Sequence, residues 1–417
     1  MCVLLTGHTS CIGGNLAMSL GKYTKYLTPD LILVLGVTFC VFLSVNLIKP
    51  ILPLFIADKG INPKTIGYLF SVRMLAIGIG EILWGWIVDK IDLKLLLCSG
   101  MIILGMAIGG LLIANSTFVL YVLFFLLGLF LAPVPIVSRW YLGINSPRHL
   151  KATYMALFVA IIYLTGGISG FASGLIAENL GYRNVVAISS ILVIVFGFVF
   201  IVGFRNIRLS VKNPIPDIEL NNNEAKKHTG LVVARSVIGL GLLALILFVC
   251  KSIVETFLPL YSTYVYKTNP MEVGVLFGVS GIVSFLVAIP SGNLADKLGK
   301  RFMLLLSLTI VGISMLGVAF STNYIFLLAS FTVFSLGATM FMPAGTALLS
   351  ESVPIHRQGI AMGVYGLFED VGGTIGPIVG GLLWSAWLPK SPFLVIGLVT
   401  LCTAIILSIL SKTKSIE

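Results

Sequence analysis

Apolar residues run through this chain in blocks of about 20, the length that crosses the hydrocarbon core of a bilayer, separated by short polar breaks. The blocks predict helices over about 31–56, 65–88, 94–114, 118–141, 151–177 and 184–205, then over about 235–264, 272–293, 301–320, 323–349, 358–385 and 392–411. One long polar segment, RNIRLSVKNPIPDIELNNNEAKKHTG, interrupts the pattern, and its prolines, asparagines and charges mark a solvated linker. The fold class is therefore an all-α membrane protein of twelve transmembrane helices. Its domains are a tail over 1–30, a six-helix bundle over 31–205, a linker over 206–234, a second six-helix bundle over 235–411 and a tail over 412–417.

The two halves repeat each other at an offset of roughly 206 residues, the mark of a duplicated bundle. ILPLF at 51–55 answers FLPLY at 257–261, GWIVDKIDLK at 85–94 answers GNLADKLGKR at 292–301, and GGISGFASG at 166–174 answers GGTIGPIVG at 372–380. The same offset sets Lys49 against Glu255 and Pro53 against Pro259.

Composition agrees with a membrane chain: 58% of the 417 residues are apolar, 10% are charged and the mean hydropathy is +1.06. The net charge of +11 does not call for nucleic acid. Most of the Lys and Arg fall on one side if both termini are cytoplasmic, as the positive-inside rule requires, where they face anionic lipid. An integral, multi-pass cell-membrane protein is expected, and a monomer. The six cysteines are scattered and imply neither a disulfide framework nor a metal site.

Ionisable residues inside the spans are the strongest chemical signal, since each costs about 2.5–3.5 kcal/mol at a helix centre. They are Lys49 with the nearby Asn46 in the first span, Arg73 and Glu81 in the second, Lys251 and Glu255 in the seventh, and Glu369 with Asp370 in the eleventh. Asn46, Lys49, Arg73, Lys251, Glu255, Glu369 and Asp370 are the candidates for binding a solute or coupling its movement to protons. A desolvated carboxyl can take a proton on one side of the membrane and release it when the cavity reopens. Plainer structural readings stand beside these. Lys49 can snorkel to the interface, Glu81 can pair at its helix end, and Lys251 and Glu255, four residues apart, can neutralise each other. The cationic residues also suit a solute that carries a carboxylate or phosphate.

At the repeated turn, the order Gly292, Asp296, Lys297, Gly299, Lys300 and Arg301 resembles the inside-loop signature of the major facilitator superfamily, answered in the first half by Gly85, Asp89, Lys90 and Lys94. The first copy has Asp92 and Leu93 where glycine and arginine are usual. The resemblance implies two pseudo-symmetric six-helix bundles rocking about a central cavity, with these loop residues acting as a conformational latch. The run Gly372, Gly376, Pro377, Gly380 and Gly381, with its partial copy Gly166, Gly170 and Gly174, is similar to the glycine signature of the drug and metabolite antiporters of that family. Phe171 stands where that signature has proline. An arginine four residues before a glycine within the fourth span, another family mark, is missing from its usual place, where Phe124 precedes Gly128; Arg139 and Gly143 share the spacing at the inner end of that span, where an interfacial anchor explains them.

The resemblance implies a secondary transporter working by alternating access, proton-coupled and exporting a small organic or drug-like solute in antiport. Proton-coupled uptake of a small organic anion is the alternative, and a transporter-like sensor a further one. An enzyme is not expected: the four histidines lack metal spacing, and no HExxH, Ser-His-Asp or phosphate-binding loop is present. No cofactor is expected either. VLLTGHTSCIGGNLAMSLGK at 3–22 imitates a nucleotide-binding turn, but the span starting at Leu31 leaves no chain for the sheet such a site needs, and Met18 is an alternative start.

Overall fold

The computed structural model describes the backbone of residues 29–87, 93–145, 151–203, 229–354 and 357–413. Among these residues there are fourteen helices and no strand. The first half contains α1 (Pro29–Ile48), α2 (Leu52–Asp58), α3 (Pro63–Ile87), α4 (Leu93–Ile113), α5 (Thr117–Leu131), α6 (Pro133–Asn145), α7 (Lys151–Leu180) and α8 (Tyr182–Gly203). The second contains α9 (Thr229–Tyr266), α10 (Pro270–Leu298), α11 (Lys300–Ala319), α12 (Tyr324–Ser352), α13 (Gln358–Ala386) and α14 (Ser391–Thr413).

Eleven spans are long and apolar enough to cross a membrane among the described residues. The twelfth is α13, whose 29 residues suffice in length but whose glycines and Glu369–Asp370 pair depress its hydropathy. The expected twelve spans thus appear, with two corrections of detail. The first and fourth are each broken into two helices, and α9 begins at Thr229, earlier than the expected end of the linker. The tail expected over 1–30 lies almost wholly outside the described residues, as do residues 204–228 of the linker.

Proline causes the break in the first span. Pro50 has no N–H to give and its ring opposes the carbonyl four residues back, so the chain turns through Lys49–Ile51 on shorter bonds, Lys49 N to Asn46 O at 3.2 Å and Ile51 N to Ile48 O at 3.1 Å. Pro53 and Pro259 repeat the effect in register. Each removes the N–H that would bond the carbonyl of Lys49 and Glu255 respectively, so both charged residues sit at weakened points of their helices. Pro133 marks the break between α5 and α6 in the same way. Beyond α2, Lys59 donates from Nζ to the carbonyls of Leu111 and Ala114 at 2.8 and 2.7 Å, which ties this corner to the end of α4.

The bundles meet along two seams, α7 on α10 and α3 on α13. Both begin at the face opposite the linker. In the first, Gly170 and Gly174 of α7 oppose Gly278 and Gly274 of α10, and Gly167 opposes Gly281 and Ile282. A Cβ on Gly278 would stand 2.6–2.8 Å from the ring of Phe171, so that ring fills the space the glycine leaves. In the second seam, Gly67 lies on the carbonyl of Pro377, Gly381 on Lys64, Gly373 on Met74 and Gly78 on Asp370. Small residues let backbones approach where no hydrophobic effect drives helices together in lipid. From Lys64 to Gly78 the second seam covers about 21 Å at 1.5 Å per residue. Nearer the linker, Gly85, Gly292, Gly359, Gly363 and Gly366 have no neighbouring atom within 4 Å of a Cβ position. The bundles are closed on the far face and parted on the linker face.

Gly278→Leu should therefore break the far-face closure. In a variant freed of its native cysteines and carrying a single cysteine at Ser280, it should raise thiol labelling from the far face by roughly tenfold, a shift of about 1.4 kcal/mol in a two-state equilibrium.

Candidate functional site: a charged cavity between the bundles

Between the bundles lies a cavity of about 150 Å³, lined from the first half by Asn46, Lys49, Pro50, Ile162, Tyr163 and Gly166 and from the second by α9, α10 and α12. Its centre is an ion pair that joins the halves: Lys49 Nζ lies 2.7 Å from Glu255 Oε1. The side chains are 31% and 16% exposed, so the pair is largely desolvated yet open to the cavity. An intramembrane charge needs such a partner or access to a polar space, and here Lys49 has the partner and lines the cavity. The break at Pro50 directs Lys49 out of its helix line, and the equivalent register of Glu255 on α9 brings the acid opposite. Asn46 lies one turn before Lys49 and donates from Nδ2 to Thr165 Oγ1 at 3.3 Å, holding α1 against α7.

Glu255 is engaged by Lys49 across the cavity, not by Lys251 one turn away on its own helix, so the mutual neutralisation of Lys251 and Glu255 is replaced by a contact between bundles. Lys251 lines the same cavity, and its ammonium stands 5.3 Å from the ring centre of Phe248. It forms no ion pair within 4 Å and no hydrogen bond among the described residues. Phe248, Phe277, Phe331, Phe334 and Met342 supply an apolar wall, and Ser280, Ser284, Ser335 and Thr339 supply hydroxyls.

Arg73 does not line this cavity. It lies behind α1, inside the first bundle, beside Val45, Ile48, Leu52, Leu104, Ile108, Leu127 and Leu131, within electrostatic reach of Glu255. Gly128 lies against its backbone carbonyl. Glu369 and Asp370 sit nearer the linker face. A Cβ on Gly78 would be 3.0 Å from Asp370 Oδ2, and Glu369 Oε1 is buried with no hydrogen-bond partner, as is the hydroxyl of Tyr365 one turn before it. Facing this acidic pair from the first bundle are Glu81 and Arg139, themselves paired at 3.4 Å. Glu81 thus finds a partner at its helix end, and Arg139 is part of a charged group at the open mouth as well as an end-of-span residue. Nothing in the sequence connects it to the acids.

Among the described residues, the ion pairs of the proposed latch lie within the second bundle. Lys300 pairs with Glu351 of α12 and lies 3.9 Å from Asp296, joining α10, α11 and α12. Gly299 has φ +91°, a conformation that disfavours side chains and allows the tight turn between α10 and α11. Lys297 and Arg301 make no ion pair among the described residues, and Gly292 is open. In the first half Gly85 is open, Asp89 and Lys90 lie outside the described residues, and Lys94 lies in the first turn of α4 with its side chain undescribed.

The glycine-rich runs divide their work. Gly170 and Gly174 serve the seam between bundles, while Gly166 lies beside Asn46. Gly372, Gly376 and Gly380 let α13 pack on Leu245, Val249 with Ser252, and Phe257 of α9, whereas Pro377 and Gly381 meet α3 across the bundles. The partner glycines Gly274, Gly278 and Gly281 carry no repeat signal, since the roughly 206-residue offset sets them against Tyr68, Val72 and Leu75.

The Major Facilitator Superfamily model matches residues 34–292 and 240–415. An uncharacterized MFS-type transporter of Methanocaldococcus jannaschii is 26% identical over 361 residues, which cover 83% of this chain and 89% of the relative. Quinolone resistance protein NorA of Staphylococcus aureus is 26% identical over 370 residues, covering 86% and 91%. Among solved structures, a POT family transporter in complex with a thioalcohol conjugated peptide superposes with a TM-score of 0.79 at 14% identity over 92% of this chain and 96% of that one. A bacterial homolog of the human lysosomal transporter Spinster, inward-facing and occupied, gives 0.74 at 12% identity over 93% and 97%. The fold, the central cavity and the family match over nearly the whole chain agree, and the protein belongs to the Major Facilitator Superfamily of transporters.

Proposed function

We propose that this transporter couples the export of a small organic or drug-like solute to the entry of protons, by alternating access across the cell membrane as a monomer. The observation that carries this reading is the Lys49–Glu255 pair, which joins the two bundles across the cavity that would hold the solute. Protonating Glu255 removes the charge that holds Lys49. Breaking a buried pair costs about 3–5 kcal/mol, with the lower end suited to side chains that reach a cavity. Even about 3 kcal/mol moves a two-state equilibrium by roughly two orders of magnitude, so one proton at this position can bias which face is closed.

With the linker and both termini on the cytoplasmic side, as the distribution of Lys and Arg favours, the parted face opens to the cytoplasm and is ready to load. Export is supported by the similarity to NorA, a quinolone resistance protein, and by glycine-rich runs at both seams. Glu369 and Asp370, with Glu81 and Arg139 opposite, form a second acidic station at the open mouth through which a proton can leave. The latch residues, on this reading, engage across the bundles when the linker face closes.

A second reading is favoured by a different observation. Lys251 lines the cavity without an ionic partner among the described residues, which suits proton-coupled movement of an organic anion. The two readings differ in the sign of coupling between solute and proton flux.

Proteoliposomes with an imposed pH gradient and a solute panel should show solute-dependent change of internal pH, alkalinising or acidifying according to the sign; a panel in which solutes move without moving protons contradicts the coupling. Glu255→Gln should retain solute counterflow while losing gradient-driven transport by at least about tenfold, since counterflow needs no net proton movement. Glu369→Gln and Asp370→Asn should show the same split if they carry protons, and unchanged transport removes them from the route. Lys49→Met should impair transport more than folding. Lys49→Arg, which merely snorkelling would tolerate, should also slow it because the bridge geometry changes.

A further inference from the structure

The cavity lining holds two ammonium groups, Lys49 and Lys251, and one carboxylate, Glu255. The carboxylate is already taken at 2.7 Å by Lys49, on the opposite bundle. That leaves Lys251 as the surplus cation. Its electrostatic neighbours are Glu255 on its own helix, Tyr163 on α7 and Glu369 on α13, none within 4 Å as an ion pair. An ammonium desolvated in a membrane interior is costly unless an anion reaches it.

The groups around it have a second common feature. Phe248 lies under the ammonium, Phe277, Phe331 and Phe334 line the wall beyond, and their rings contact one another, with Phe277 and Phe331 centroids 5.4 Å apart and Phe331 and Phe334 6.1 Å apart. Ser284 and Thr339 provide hydroxyls on the same walls, while the Ser280 hydroxyl donates to the Phe277 carbonyl and offers its oxygen only as an acceptor. A ligand that fits puts one negative head toward Lys251 and the hydroxyls, and a flat apolar body against the phenylalanines. A cationic head would meet two ammonium groups and a carboxylate already paired.

We infer that the solute is an organic anion with an aromatic or similarly flat apolar body, its carboxylate held by Lys251 and its body by the phenylalanine wall. The inference rests on the reading of this cavity as the place where the solute loads, and not on the sense or existence of proton coupling. Solute binding in this scheme brings the cavity lining to electrical balance while leaving the Lys49–Glu255 bridge intact. The surplus charge is then a selectivity device: it favours anions at the loading step without requiring a new contact between the bundles.

Equilibrium binding without a gradient tests the ligand class separately from coupling. The purified full chain is titrated with phenylacetate, its neutral amide phenylacetamide and the cation phenethylamine, following thermal stabilisation and equilibrium dialysis. Phenylacetate should bind at least about tenfold more tightly than either of the others. Lys251→Gln should bring phenylacetate down to the level of the amide, and Lys251→Arg, which keeps the charge, should retain the preference. Equal or tighter binding of the amide or the amine by the natural protein overturns the inference, as does an absence of phenylacetate binding up to its solubility limit. A preference for phenylacetate that survives Lys251→Gln in monodisperse protein also overturns it. If the Gln variant does not fold, the charge preference of the natural protein and of Lys251→Arg still decides. Loss of proton coupling in Glu255→Gln with phenylacetate binding intact would count for the coupling scheme alone, so the two failures are distinguishable.

Discussion

The constraint on which the rest depends is that a charge cannot stand alone in the middle of a membrane. Lys49 and Glu255 lie at equivalent depths in two copies of one bundle and satisfy each other at 2.7 Å across the space between them. That requirement fixes much around it. The pair reaches across the bundles, and a cavity of about 150 Å³ lies there. Its helices must bend, and Pro50, Pro53 and Pro259 allow that. The charge must have water or solute nearby, so the cavity is lined with serines and threonines as well as phenylalanines.

The far-face seams follow from the same demand. The contact between bundles is built largely of glycine against glycine and glycine against carbonyl, with the Phe171 ring set over Gly278 and Ile282 against Gly167. Such a contact is sensitive to a single added methyl group, and on the proposed mechanism the Lys49–Glu255 pair biases whether the face is closed. Toward the linker the seams end near Gly78 and Asp370, and the acidic pair with Glu81 and Arg139 takes over where water can enter.

Much of this was legible in the chain itself. Apolar block lengths place the spans, and the roughly 206-residue repeat sets Lys49 against Glu255 before any contact is known. The break at Pro50 is equally visible, because a proline removes a donor wherever it stands. Depth along a helix is thus readable. Direction around it is less so in lipid, since a lipid-facing leucine and a buried one look alike. Arg73 shares the depth of the pair, but only packing shows that it lies behind α1. Arg139 sits at a helix end, and only the fold brings Glu81 and the acids of α13 to it. Gly274, Gly278 and Gly281 carry no charge or motif to announce them, and their role exists only against the glycines of α7.

The central claim is that the Lys49–Glu255 pair, acting as a unit, holds the far face closed. A double-mutant cycle tests it most directly, using Lys49→Met, Glu255→Gln and both together, with spin labels at Asn62 and Leu388 reporting the far-face separation of the bundles. If the pair is the clasp, each single change widens the distance distribution and the double change widens it no further than a single one. Additive widening, or no change in either single variant, would contradict the account.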